Sequence, residues 1–327
     1  MKSFNRPLIG IISIAFSLFL INCNISPSID EFNSVTAAQM RDKEAINGQN
    51  IPLNDPEIFF FNGLSSGLYP WGNALIENDY KTNYINISKT ITPLDKKGNP
   101  SFKGKIVMLG IGGSHAYIVY NGIKNAWLSD AGFGKNLVFA NAGTGGKDLP
   151  DILDPGASYW QRIVKVLDSN RVKSSQVQVI FIIEDDFVNK DTTIQRAYAI
   201  KDQYITLLTT IRSKYPNCKM ILVADRGYAG YSTLSKYDEP KGYLNGWAVK
   251  FVVEDFINGT IPQMPFINWF EYYWANGEEP RWDGLTYLSS DFVAPEFAHI
   301  TTQKANELGI VTHAKLKADA GVVNWYY

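Results

Sequence analysis

Ser114 lies in KIVMLGIGGSHAYIVY, residues 105–120, where an apolar run breaks at Gly112-Gly113 just before the hydroxyl. A serine so placed can belong to an ordinary turn, a phosphate loop, or an elbow that presents a nucleophile. The phosphate-loop form GxxxxGK[ST] is approached by NAGTGGKD, residues 141–148. There Asn141 replaces the first glycine and Asp148 the metal-binding hydroxyl, and an acid at that point would repel phosphate. The elbow form GxSxG is met by GGSHA except for Ala116 at its last position.

A nucleophilic serine needs a base, and the chain has three histidines. His115 adjoins the serine and cannot easily turn back to it. His313, in VTHAKLKAD, is expected on a surface helix without an adjacent acid. His299, in SSDFVAPEFAHITTQKA, has Glu296 three residues before it. On a tight loop such a carboxylate reaches one ring nitrogen and leaves the other facing outward, which fixes the tautomer a general base needs. The same string also fits a helix-edge histidine with a capping acid. A second acidic feature, Glu184-Asp185-Asp186, follows an apolar run. It reads as a solvated loop or a helix start. With Asn189 and Asp191 it also offers hard oxygens to calcium, although the spacing departs from the EF-hand loop, and no metal is assigned.

These residues need a scaffold. Near-continuous Val/Ile/Leu runs at 106–111, 137–140, 177–183 and 220–224 read as strands covered on both faces. Helical periodicity occupies residues 157–170, the segment before Pro216, the stretch ending at Gly259, and the segment after Ile300. Strands alternating with helices predict a mostly parallel sheet between two helical layers. Between residues 260 and 293 the pattern yields to a long aromatic-rich excursion with turn signals at Asn276-Gly277 and Asp283-Gly284. Trp269, Tyr272, Tyr273, Trp274, Trp282 and Tyr287 either line a sugar-binding cleft or pack the loop onto its own domain. Trp274 and Trp282, with Tyr228 from RGYAGY, are the substrate-cleft candidates. Arg226 in the same string lines that cleft or forms a structural ion pair.

The chain has 327 residues, 45% of them hydrophobic, and a formal charge of −1. That is enough for a large core and gives no electrostatic case for nucleic acid as a partner. Lys2 and Arg6 precede an apolar run at residues 8–21 that ends in LINC, which predicts an export signal over residues 1–22. The run is short for a membrane span, though an N-terminal anchor is the alternative. A cysteine directly after such a core resembles the lipobox of bacterial lipoproteins. Cys23 would carry the lipid, although Asn22 departs from the small residue usual before it. Residues 23–55 read as a tether or leader and 56–327 as one domain. The expected location is the cell envelope, with a lipid anchor in the outer or cell-surface membrane; a soluble periplasmic or extracellular form is the alternative. The second cysteine, Cys218, lies in an apolar run and reads as an inert core thiol.

The order of features, from about Gly67 onward, resembles the SGNH (GDSL-like) hydrolase family in a secreted bacterial branch. A serine follows the first strand, the glycine block at 143–146 follows the second, and an acid-x-x-His precedes the last helix. The resemblance implies a flavodoxin-like three-layer α/β/α fold. It implies Ser114 as nucleophile, His299 as base and Glu296 as its orienter. Gly146 would be the backbone donor to the oxyanion, with Gly113 and Asp185 in the same binding set. No cofactor is implied, and the substrate class is a small-molecule or carbohydrate ester. The family's Gly-Asp-Ser is Gly-Gly-Ser here, and its late aspartate is Glu296. Its Gly-x-Asn-Asp is Ile183-Glu184-Asp185-Asp186, so the asparagine donor is missing. Losing one oxyanion donor costs roughly a hundredfold to a thousandfold in rate. Either another donor serves, an acid stays protonated, or the protein is a slow or inactive surface protein that binds glycan or an envelope or host partner.

Overall fold

The structure, a computed structural model, describes residues 50–132, 134–261 and 264–327. The expected signal, Cys23 and most of the leader lie outside the described residues. Packing begins earlier than residue 56: Leu53 is fully buried and its N–H donates to the Tyr272 hydroxyl.

A short hairpin, β1 (Phe60–Phe61) with β2 (Leu64–Ser65), and helix α1 (Asp79–Ser88) precede the main sheet. The sheet has five strands: β3 (Ile106–Gly112), β4 (Leu137–Asn141), β5 (Val177–Ile183), β6 (Met220–Ala224) and β7 (Phe266–Glu271). Their spatial order is β4-β3-β5-β6-β7, and every pairing is parallel. This is the flavodoxin-like doubly wound order. Every residue of β3 and β5 is buried, as their unbroken apolar sequences require.

The intervening helices are α2 (Ser114–Ser129), α3 (Leu149–Leu153), α4 (Ser158–Ser169), α5 (Ile194–Lys214) and α6 (Lys241–Ile257). Helices α7 (Thr302–Ala318) and α8 (Val323–Tyr326) close the chain. The chain leaves β3 toward β4 and then reverses toward β5, β6 and β7. Right-handed crossovers therefore put α2 on the opposite face from the helices that follow. Accordingly α2 packs on α7, and α5 packs on α6. The strand β7 was hidden in the stretch expected to be a loop excursion. Its sequence, FINWFE, is aromatic rather than aliphatic, and its register against β6 shifts between Val223 and Ala224.

The α2–α7 contact is made through glycine. A Cβ at Gly122 would collide with the Ala305 carbonyl on α7, and one at Gly309 with the Gly122 backbone. Helix propensity alone predicts that Gly122→Ala stabilises by about 1 kcal/mol. The close backbone approach predicts instead a loss of about 1–3 kcal/mol, read as a lower urea midpoint with an unchanged slope.

Candidate active site

Each strand delivers its functional residues at its C-terminal end, where open parallel sheets bind ligands. β3 ends at Gly112, whose φ of +137° is closed to ordinary side chains and whose Cβ would strike the Ile183 carbonyl. Tyr159 on α4 pins this turn by accepting from the Gly112 N–H at 2.8 Å. Ser114 then begins α2. As a first helical residue its N–H has no carbonyl one turn back, so that donor is left for another acceptor.

His299 arrives from the loop before α7. Phe292 and Ile300 bridge, and the Val293 N–H donates to the His299 carbonyl at 2.9 Å, closing a small loop around the histidine. A second loop braces it: the Thr233 N–H donates to the Glu296 carbonyl at 3.0 Å. The outcome is a Ser114 Oγ to His299 Nε2 separation of 2.6 Å, across 185 positions of sequence. His299 is half-buried, and its pKa is lowered, first by desolvation and then by the Arg226 cation; Glu296 opposes the shift, and Lys236 adds to it. The ring is therefore a neutral acceptor at neutral pH. Glu296 is exposed and acts on the ring through space; among the described residues no carboxylate hydrogen-bonds that ring.

The other histidines differ from expectation in part. His115 is half-buried and does not bond Ser114. Desolvation, followed by the Arg226 and His299 charges, lowers its pKa to about 3. His313 is not a bare surface histidine. It is buried, with Nε2 3.1 Å from the Asp130 carboxylate and Nδ1 2.8 Å from the Tyr326 hydroxyl, far along α7 from the serine. Its acid comes from the end of α2, so no local string could have revealed it.

The acidic cluster is not a solvated loop. Asp185 is fully buried, and its Oδ1 accepts from Arg196 Nη2 at 2.7 Å. Arg196, also fully buried, donates onward to the Asn189 and Asp186 carbonyls. Asp185 Oδ2 lies 3.5 Å from Arg226 Nη1. This corrects the expectation that Asp185 belongs to the oxyanion set, because both of its oxygens are committed to cations. Asp186, Asn189 and Asp191 spend side-chain oxygens on nearby backbone N–H groups, so the proposed hard-oxygen cluster is consumed in its own turns.

Glu184 takes the place next to the nucleophile. It follows β5 directly, and the Gly112–Ile183 register sets it beside Gly113. A Cβ built on Gly113 would lie 3.3 and 3.4 Å from the two Glu184 carboxyl oxygens, and 2.5 Å from the Lys147 carbonyl. The turn through Gly146, at φ +71°, thus flanks the same spot. That turn is tied to β3 by the Thr144 N–H, which donates to the Gly112 carbonyl at 2.9 Å. The Leu149 N–H, at 3.0 Å from the Asp185 carbonyl, ties it to the acidic loop. Asn245 completes the frame. Its Nδ2 donates to the Glu184 carbonyl, and its Oδ1 accepts from the Arg226 N–H, both at 2.9 Å.

The aromatic segment is mostly core. Trp269, Tyr272, Tyr273, Trp274 and Tyr287 are buried, and Trp274 donates its Nε1 to Glu239 at 3.1 Å. Trp274 therefore offers no open ring face. Tyr228 is half-buried among Tyr231, Trp274 and Tyr287, whereas Trp282 is 60% exposed. Asp225, at the end of β6, anchors the segment by accepting from the Tyr273 and Gly227 N–H groups; burial pushes its carboxyl up to about 7.

No family model and no curated protein matches the chain. Among solved structures it is similar to a protein from Arabidopsis thaliana, at 16% identity and a TM-score of 0.34, covering 66% of this chain and 70% of that one. It is also similar to a salicylyl-acyltransferase, SsfX3, from a tetracycline biosynthetic pathway, at 13% identity and a TM-score of 0.38, over 69% of this chain and 58% of that one. A third is the periplasmic domain of a lipopolysaccharide acetyltransferase from Salmonella ser. Paratyphi A, at 13% identity and a TM-score of 0.36, over 71% and 94%. Likenesses this loose carry nothing about the chemistry, which rests on the side chains described above.

With three histidines, NMR titration can follow each ring. His299 is expected to titrate below an ordinary imidazole. Glu296→Gln removes the one charge that holds its pKa up, so it should move the midpoint further down. An unchanged midpoint would show that the Glu296 charge does not reach the ring.

Proposed function

We infer that the protein is a serine-dependent acyl-transfer enzyme, in its simplest form an ester hydrolase. The observation that carries this is the 2.6 Å contact between Ser114 Oγ and His299 Nε2, with the imidazole depressed toward its neutral, basic form. In this reading Ser114 Oγ attacks the ester carbonyl while His299 Nε2 takes the hydroxyl proton. The carbonyl electron pair moves to oxygen, facing the Ser114 and Gly146 N–H groups. Collapse expels the alkoxide, which receives the proton from His299. Water, or an acceptor alcohol, then attacks the acyl-serine by the same route in reverse. Glu296 favours the imidazolium through its charge.

The apolar run before Cys23 supports an exported, lipid-anchored protein, and a carbohydrate or other envelope-derived ester fits that setting. Of the cleft candidates, exposed Trp282 and half-buried Tyr228 are the rings left to stack on such a substrate.

The test uses an activated acetyl ester and a fluorophosphonate that labels nucleophilic serines. Wild-type protein should turn over the ester and take the label. Ser114→Ala should lose the label entirely, and both Ser114→Ala and His299→Ala should lose about a thousandfold or more in kcat/KM. Glycan binding without turnover or labelling would instead favour a non-catalytic surface protein.

A further inference from the structure

In the acyl-transfer reading the Ser114 and Gly146 N–H groups face the oxyanion, and the sequence has Glu184-Asp185 where the resembled family has its asparagine donor. What stands beside the nucleophile's turn is Glu184, which is only 2% exposed. Its two carboxyl oxygens are not equivalent. Oε1 accepts from the Asp185 N–H at 3.0 Å, whereas Oε2 is buried and has no hydrogen-bond partner among the described residues. Both oxygens border the space a Cβ on Gly113 would take, at 3.3 and 3.4 Å from it, and Gly113 is the residue immediately before Ser114. We propose that Glu184 serves as a neutral carboxylic acid whose Oε2–H donates to the oxyanion formed on Ser114 attack, supplying the third donor of the site. This deepens the acyl-transfer reading above and rests on it.

The chemistry balances without proton transfer from Glu184. Ser114 Oγ bonds to the carbonyl carbon, the π pair moves to oxygen, and the Oε2–H hydrogen bond to that oxygen shortens as charge develops. The proton stays on Oε2 throughout, and only the serine proton travels, through His299 to the leaving group. An ionised Glu184 could only accept, and would repel the charge it faces.

The surroundings favour the neutral acid. Desolvation raises the Glu184 pKa well above the carboxylate range, and the Asp185 and Asp148 carboxylates push the same way. The Asp185 N–H and the Arg226 cation oppose this. Arg226 is already shared with Asp185, and Asp185 is further neutralised by Arg196. The Tyr204 and Tyr159 hydroxyls that face this region are bonded to the Glu184 and Gly112 backbones and keep their protons. A neutral carboxyl whose hydrogen is held by low-dielectric surroundings is a stronger donor to a developing charge than one in water.

Two substitutions and one spectrum test this. Glu184→Gln keeps a carbonyl oxygen for the Asp185 N–H and puts an amide donor in the place of Oε2. Glu184→Met fills the space without a donor. On the activated acetyl ester, Glu184→Met should lose about a hundredfold to a thousandfold in kcat, and Glu184→Gln should stay within about tenfold of wild type. Wild-type activity should fall at alkaline pH as Glu184 ionises, and Glu184→Gln should lack that limb. Independently of turnover, the infrared spectrum at neutral pH should contain a protonated-carboxyl stretch, beside the one expected from Asp225, that vanishes in Glu184→Gln. Equal rates for Met and wild type, or no such stretch, would overturn the proposal. If Glu184→Met does not fold, the Gln pH profile and the spectrum still decide it. Turnover that survives Ser114→Ala would instead sink the acyl-transfer reading, whatever Glu184's protonation.

Discussion

The parallel pairing of β3 with β5 is the constraint on which the site depends. The chain reverses direction between these two strands, so their C-terminal ends open into a crevice rather than being bridged by one connection. The Gly112–Ile183 register then dictates what meets there: the turn carrying Ser114 from one strand, and Glu184 from the other. Only glycine can occupy position 112, because the backbone must swing to positive φ while passing the Ile183 carbonyl. The two glycines before the serine thus have distinct causes. Gly112 allows the turn, and Gly113 leaves room for the Lys147 carbonyl and the Glu184 carboxyl.

That crevice contains more charge than a buried site ordinarily tolerates, and the structure distributes it unevenly. Asp185 holds Arg196 and leans on Arg226, so two cations meet one carboxylate of the cluster. A buried ion pair of this kind adds little net stability, but removing one partner would strand the other charge. Its structural return is an ordered acidic loop. Arg196 also gathers the Asn189 and Asp186 carbonyls, fixing the segment between β5 and α5. Desolvation first, and then the Arg226 cation left facing the crevice, depress both His299 and His115. The His299 ring is therefore tuned by a cation on β6's loop as well as by the acid three residues before it.

The legible part of this arrangement was local. Unbroken aliphatic runs marked four strands, because strands buried on both faces need no alternation. The serine after two glycines and the acid-x-x-His string singled out Ser114 and His299, which the fold brings within hydrogen-bond reach. The illegible part was relational. The β7 run is aromatic and bulged, so it lacked both the composition and the period of a strand. Asp185 lies at the position that the family pattern gives to a side-chain donor. What commits it elsewhere is Arg196, eleven residues away on the next helix. His313 looked unpaired because its acid, Asp130, is 183 positions distant. The aromatic residues announced bulk, but bulk alone does not distinguish a ring that lines a cleft from one, like Trp274, that fills the core.

Glu296 and Glu184 are the same side chain put to opposite uses. Glu296 stands exposed on the histidine loop, where water stabilises its charge and screens its pull on the imidazole. Glu184 sits in the crevice, where neither water nor an unshared cation is at hand to stabilise a charge. Acid and base assignments follow from such separation of environments rather than from residue type. A carboxylate directly behind the imidazole would strengthen the base but add another negative charge close to the developing oxyanion. Under the proposed acyl-transfer reading, a charged glutamate outside and a neutral one inside would let one low-dielectric pocket both depress the imidazole and stabilise the oxyanion.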